Sequence, residues 1–417
     1  MFKVAMVAAC PFPANWGTPG AIREMATALS DAGHRIHVVT YPYGEELPVE
    51  GAIIERAWYW RKTGRLQSGP VIEKFLLDIF LLITLIRVIR REKIDVIHAH
   101  GYEAVLLGAV AKLLTGRPLI YHSHNLMSDE LPAYRFFPNL IARTLGRVLD
   151  WMAPRFPDHV IALTGRLKTA LLDEKIPAEC VDVVPVSINP DMFAGGSTAA
   201  LRARYDLGAE PIVMYTGICS QLQRLDLLLT AFVRVAAIFP QAKLMVVTPL
   251  SRDPDLAECR EMADRLGIGA RVIWVPGHRL QELRDYLALA TLTVIPRPYI
   301  PGQPVKLLNA MSASRPTVCF VGGAEGMVHL RDAYIVEGSD SERLADGIIA
   351  LLNDPELARN LGVTARRSVV ENFSTRSLAR RIEDIYSRVI YRTRSSRPTE
   401  TLTPPKAAPI EPDIANG

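Results

Sequence analysis

Unbroken apolar runs alternate with longer stretches that are apolar on one side only. The runs FKVAMVAA (2–9), RIHVVT (35–40), DVIHAH (95–100), PLIYHSH (118–124) and DHVIALT (158–164) have the length and composition of strands buried on both faces. Between them, 21–32, 73–91, 104–114 and 139–152 carry apolar residues at helical spacing. The pattern then restarts. PIVMYTG (211–217), KLMVVTP (243–249), RVIWVPG (271–277), LTVIPRP (292–298) and PTVCFVG (316–322) read as strands. Helical patterns separate them at 225–240, 255–268, 280–290 and 305–314. Strands that alternate with helices in this way predict two parallel sheets, each covered by helices on both faces.

The change between the two halves falls in PVSINPDMFAGGSTAA (185–200), which is rich in Pro, Gly, Ser and Asn. The expected organisation is an N-terminal doubly wound domain over 1–190 and a second over 191–373. A long final helix over 374–391 is expected to pack back on the first domain. The Pro-rich stretch 392–417 carries too few large apolar groups to fold and is expected to be disordered. Two such domains would present the C-terminal ends of their strands to a shared cleft, where open α/β sheets bind ligands.

A length of 417 residues is too great for one ordinary core, in keeping with two domains. Apolar residues make up 49% of the chain and charged residues 22%, the balance of a globular protein. The net charge of +4 comes from basic residues mixed with acids, which gives no case for nucleic-acid binding. Cys10, Cys180, Cys219, Cys259 and Cys319 lie far apart, form no metal-ligand spacing and read as reduced thiols of a cytoplasmic protein. The start MFKVAMVAAC reads as a strand rather than a signal peptide. The most apolar helix, 75–89, contains Asp78 and falls short of the roughly 20 residues that cross a bilayer. It reads as a buried helix or as one with a face on a membrane surface. The basic amphipathic stretch 134–156, with Phe136, Phe137, Trp151, Arg135, Arg143, Arg147 and Arg155, is a second candidate for peripheral membrane contact.

The loop before the first helix holds Pro11, Pro13, Gly17, Pro19 and Gly20. Gly17 and Gly20 would let a ligand approach bare backbone, and the N-terminus of a helix favours a phosphate. A plain structural turn is the competing reading.

The order of segments resembles the GT-B glycosyltransferases, specifically the retaining family 4 branch, from Lys3 to about Ile390. The resemblance rests on GTPGAIREMATALSDAGHRIHVVT, DVIHAH, PLIYHSHN, DHVIALTGRLKTAL, YTG followed by LDLLLTAF, GHRLQELRDYLALATLTVIPRP, PVKLLNAMSASRPTV and DPELARNLGVTARRSVVENFS. It implies two Rossmann-like domains facing a central cleft and a hexosyl transfer from a nucleotide-sugar to a glycan or lipid acceptor. It also implies that no metal or other cofactor is needed, because protein cations and helix ends neutralise the leaving diphosphate. By the same resemblance His124 meets the transferred sugar, and backbone at Gly277, His278 and Arg279 meets the base.

His98 and His100 also end a strand, and His122 shares a face with His124 by alternation. No carboxylate or cysteine completes a familiar zinc pattern there, so no metal is expected.

The chain departs from the family at the diphosphate site. Family members place an arginine and a lysine where this chain has Ile218 and Gln223, and two glutamates where it has Pro301 and Asn309. Arg224 and Lys306 are the replacement cations this reading expects. Gln223 and Asn309 can still hydrogen-bond a phosphate and a ribose hydroxyl. Lys306 opens a helix, where a cation opposes the dipole and an anionic partner would relieve it. The same losses leave open a second reading, a catalytically impaired GT-B protein that serves as partner or regulatory subunit of a glycosylation complex. An epimerase on this fold lacks a pair of acids placed for proton abstraction.

Overall fold

A computed structural model describes residues 1–13, 17–45, 47–59, 72–134, 138–250, 255–278, 282–298 and 305–395. The first half runs β1 (Lys3–Ala8), α1 (Gly17–Asp31), β2 (Arg35–Thr40), β3 (Ile53–Arg56), α2 (Ile72–Glu92), β4 (Val96–His100), α3 (Tyr102–Thr115), β5 (Leu119–Ser123), α4 (Met127–Glu130), α5 (Asn139–Met152), β6 (His159–Ala162), α6 (Gly165–Asp173) and β7 (Val181–Val183). Its seven strands pair in parallel in the order β3-β2-β1-β4-β5-β6-β7.

The second half runs α7 (Ala199–Arg204), β8 (Ile212–Thr216), α8 (Leu225–Ile238), β9 (Lys243–Thr248), α9 (Leu256–Arg265), β10 (Val272–Pro276), α10 (Leu283–Leu289), β11 (Leu292–Ile295), α11 (Val305–Ser312), β12 (Thr317–Phe320), β13 (Tyr334–Val336), α12 (Ser341–Asn353) and α13 (Pro355–Asn372). Its six strands are again parallel, in the order β10-β9-β8-β11-β12-β13. A last helix, α14, spans Thr375–Ser395.

Strand alternation feeds two cores per sheet. Along β1, Ala5 and Val7 join the core under α2 and α3, while Val4, Met6 and Ala8 join the core under α1 and α14. Along β8, Val213 and Tyr215 pack with α8, while Ile212 and Met214 pack with α11 and α13. Each fully buried large side chain stabilises by about 1.5–3 kcal/mol relative to an exposed one.

The chain crosses between the halves twice at one place. The Ile188 amide donates to the Phe373 carbonyl (2.9 Å) and the Thr375 amide donates to the Ile188 carbonyl (3.1 Å). Beyond this point α14 buries Leu378, Ile382, Tyr386 and Val389 in the core that holds Ile22 and Leu29 of α1. The helix reaches Ser395, so residues 392–395 belong to it rather than to the expected tail. The rest of that tail, 396–417, lies outside the described residues.

The edge strands β3, β7 and β13 were not expected; at four, three and three residues they lack the long apolar run that marks a central strand. Among the described residues no helix is long and apolar enough to cross a membrane. In α2, Leu77, Leu81, Leu85 and Val88 are buried while Phe75, Ile79 and Ile83 are exposed. None of the five cysteines forms a disulfide.

Candidate active site

In the second sheet the chain order diverges at the β8–β11 pair, the topological switch point where such sheets take a ligand. Gly217 follows β8 and α11 follows β11, so both arrive at this point. Gly217 has a φ of 136°, which an L side chain rarely adopts. A Cβ there would also run into the Nζ of Lys306 and lie 2.7 Å from its Cε. The glycine thus leaves room for the lysine.

Lys306 sits in the first turn of α11. Its Nζ donates to the Tyr215 hydroxyl (3.1 Å) and to Gln223 Oε1 (2.6 Å), and it lies 4.7 Å from the centre of the Tyr215 ring. The Tyr215 hydroxyl in turn donates to the Ile218 carbonyl at 2.7 Å. Among the described residues no carboxylate pairs with Lys306. Burial, and secondarily the nearby Arg297 guanidinium, pulls the ammonium down from 10.5 to about 8. Burial lowers Arg297 as well. Two cations thus approach one another where the sheet opens, one of them half-buried and, among the described residues, facing neutral acceptors only.

The other expected donor residues lie around this point. Gln223 meets Lys306 directly. Arg224 does not; it stands in the left-handed region (φ 54°), and Asp226 takes its guanidinium at 2.9 and 3.0 Å. Asn309 is half-buried one turn along α11 from Lys306. After β10, Gly277 takes a φ of 75° and its amide donates to the Thr248 carbonyl at 2.8 Å. The Nδ1 of His278 is buried without a partner among the described residues. Arg279, Pro301 and Pro304 lie outside the described residues. Gly17 and Gly20 fall inside the first turn of α1, four residues earlier than the expected helix start, rather than in the loop ahead of it.

In the first sheet, His98 and His100 end β4, His122 pairs in register with His100, and His124 follows β5. The four rings stack together, with centres 4.4 Å apart for His98 and His100 and 4.7 Å for His122 and His124. The Tyr386 hydroxyl of α14 lies 2.7 Å from His98 Nδ1, and His124 Nε2 lies 3.4 Å from His100 Nδ1. Burial holds all four rings below their ordinary value, His124 at about 4. His124 is therefore neutral at pH 7 and can meet a hydroxyl without carrying a charge.

The C-terminal edges of the two sheets meet through Glu325. This residue lies just past β12, and its Oε1 accepts from the Arg166 amide at 2.8 Å, at the N-terminus of α6. Thr164 caps the same helix, its Oγ1 accepting from the Leu167 amide at 3.2 Å. Since β6 neighbours β5 and β12 neighbours β11, this contact brings the His124 side and the Lys306 side to one cleft. Tyr215, Gly217, Arg297 and Glu325 were not singled out from the sequence. YTG and PRP contain the first three, but nothing in them points to Lys306.

Residues 19–192 match the family model described as Glycosyltransferase Family 4, and residues 210–354 match the one described as Glycosyl transferases group 1. The chain is 26% identical over 403 residues to the D-inositol 3-phosphate glycosyltransferase of Thermobispora bispora, across 90% of this chain and 91% of that one. It is 25% identical over 309 residues to the GDP-mannose-dependent alpha-(1-6)-phosphatidylinositol monomannoside mannosyltransferase of Mycolicibacterium smegmatis, across 69% and 77% of the two chains. The fold is similar to that of Anabaena HepE in complex with UDP, with a TM-score of 0.71 and 18% identity over 93% of this chain and 100% of that one.

Proposed function

The chain belongs to the family 4 glycosyltransferases of the GT-B fold, and from this premise we propose that it moves a sugar from a nucleotide-sugar donor, with retention of configuration, to a polysaccharide, glycolipid or other envelope acceptor. The observation that carries this reading is the half-buried Lys306 ammonium at the switch point of the second sheet, whose acceptors among the described residues are all neutral. A largely desolvated cation without a counter-charge is costly, and a diphosphate is the anion that relieves it. Lys306, with Arg297 beside it, takes over the part that Ile218 and Gln223 no longer supply. The leaving diphosphate is then neutralised by the protein rather than by a metal ion. Arg224, already paired with Asp226, contributes less than the sequence implied.

Asn309 meets the ribose, and backbone at Gly277 and His278 meets the base. The neutral ring of His124 meets the transferred sugar from the opposite domain. Gly17 and Gly20 leave the first turn of α1 open to a phosphate or an acceptor hydroxyl.

The acceptor side presents an apolar surface. On α5, Leu140, Ile141, Leu145, Val148 and Trp151 are exposed along one side, opposite the buried Ala142 and Gly146. Arg143 and Arg147 flank that side. Such a face suits the surface of an anionic membrane and supports the reading of a peripheral enzyme at the cytoplasmic side with a lipid-linked acceptor.

The test is thermal stabilisation of the purified protein by a panel of UDP-, GDP- and ADP-sugars, followed by nucleotide release with lipid acceptors. A shift with one base, followed by turnover, is the expected result. No shift with any donor would sink the reading. Binding without turnover on any acceptor would instead favour the non-catalytic partner role that the changed positions 218, 223, 301 and 309 leave open.

A further inference from the structure

The ends of β4 and β5 carry a cluster that glycosyl transfer does not use in full. One ring nitrogen from each of His98, His100 and His122 lies within 4.8 Å of the others, and all three side chains are buried. The Nε2 atoms of His100 and His122 have no hydrogen-bond partner among the described residues, although the residues are only 4% and 1% exposed. Each such orphaned buried atom destabilises the fold unless a partner fills the gap. The other edges of the rings are engaged. His98 Nδ1 meets the Tyr386 hydroxyl, and His100 Nδ1 meets His124 Nε2. Metal-binding histidines are typically fixed in this way, one nitrogen held by an outer partner and the other left as the ligand.

We propose that His98, His100 and His122 bind one divalent transition-metal ion of the zinc, cobalt or nickel type. Imidazole suits these ions, and a three-histidine set leaves a fourth position for water, hydroxide or a substrate oxygen. The 3.3 Å contact between His122 Nδ1 and His98 Nε2 shows how closely these two rings approach. The expectation of no metal rested on the lack of a cysteine or carboxylate in this cluster, and a three-imidazole site requires neither. The ion joins β4 to β5 beneath His124. It lies in the first domain, away from Lys306, and so has no part in neutralising the diphosphate.

The full chain, stripped with chelator and dialysed, is titrated with cobalt(II) and zinc(II). The expected result is uptake of one ion per chain at micromolar concentration, with visible cobalt absorption of a low-coordinate site and a rise in Tm. His122→Asn and His100→Asn are each expected to weaken binding at least a hundredfold, whereas His329→Asn, at an exposed histidine, leaves it unchanged. X-ray absorption of the cobalt-loaded wild-type chain needs no variant and is expected to show three imidazole ligands. No stoichiometric uptake, fewer than three imidazoles, or unaltered binding in both cluster variants would overturn the assignment.

Discussion

The Nζ of Lys306 lies 2.6 Å from Gln223 Oε1, which ties the first turn of α11 to the turn that precedes α8. The ammonium has neutral partners, so it destabilises the ligand-free fold and awaits an anion. Lys306→Met is expected to leave the Tm of the free protein unchanged or raised. The same change should weaken nucleotide binding by ten- to a hundredfold, since a charged hydrogen bond contributes about 1.5–3 kcal/mol. Calorimetric titration with the preferred nucleotide checks this, and an unaltered affinity would remove Lys306 from the donor site.

The lowered pKa of Lys306 sets a pH dependence. Its folded value of about 8 lies below the ordinary 10.5, so between these limits the unfolded chain binds more protons than the folded one. Below about 8 the burial penalty is fully present, and it is lifted as pH climbs from about 8 to 10.5. Over that interval the wild-type protein should gain stability relative to Lys306→Met. Nucleotide binding runs the other way. A bound phosphate stabilises the charged form, so affinity should fall as pH rises through about 8, approaching tenfold per unit, with proton uptake on binding. Titrations in buffers of different ionisation enthalpy read that proton directly.

The central strands were legible because each of them carries an unbroken apolar run, as VAMVA does in β1. The edge strand β3, IIER, has no such run and needs its partner β2 to be recognised. At the site, Lys306 was legible as a cation that opens a helix, yet its acceptors are Tyr215 and Gln223, 91 and 83 residues away. Tyr386, which orients His98, is 288 residues away. Contacts over such separations are made by the sheet order and by the return of α14, neither of which leaves a local mark. Arg224 differs, because its partner Asp226 is a near neighbour in the chain.

Gly217→Ala tests the space around Lys306. The substitution imposes a Cβ on a backbone with φ of 136° and sets it against the lysine side chain and 3.2 Å from the Tyr215 hydroxyl. It should lower stability by about 1–3 kcal/mol. Because the lysine must move, nucleotide affinity should fall along with it. A loss of stability with full affinity would show that the lysine position is not critical.

The outer side of α5 makes a separate prediction. Leu140 and Val148 are 79% and 50% exposed, so changing both to Glu should leave the Tm within a degree or two. Binding to vesicles that contain anionic lipid should fall more than tenfold, since a buried leucine or valine contributes about 1.5–3 kcal/mol. Arg143 and Arg147 should add a salt-sensitive part of about 1 kcal/mol each. Sedimentation with anionic and neutral vesicles at two ionic strengths separates the contributions, and equal pelleting of the variant would rule out α5 as the contact.

Glu325 tests the approach of the two domains. Its carboxylate accepts from the Arg166 amide at the start of α6, where a negative charge also favours the helix dipole. Glu325→Gln keeps an acceptor but removes the charge, and Glu325→Ala removes both. Each should leave the nucleotide affinity within twofold, because Lys306, Asn309, Gly277 and His278, the main proposed nucleotide contacts, lie in the second domain. The loss of about 1 kcal/mol of interdomain attraction in the alanine variant should lower the closed population, and with it kcat, roughly fivefold. The glutamine variant should fall between it and the wild type. If both variants turn over at the wild-type rate, the contact between α6 and Glu325 does not govern how His124 and Lys306 are brought onto one substrate.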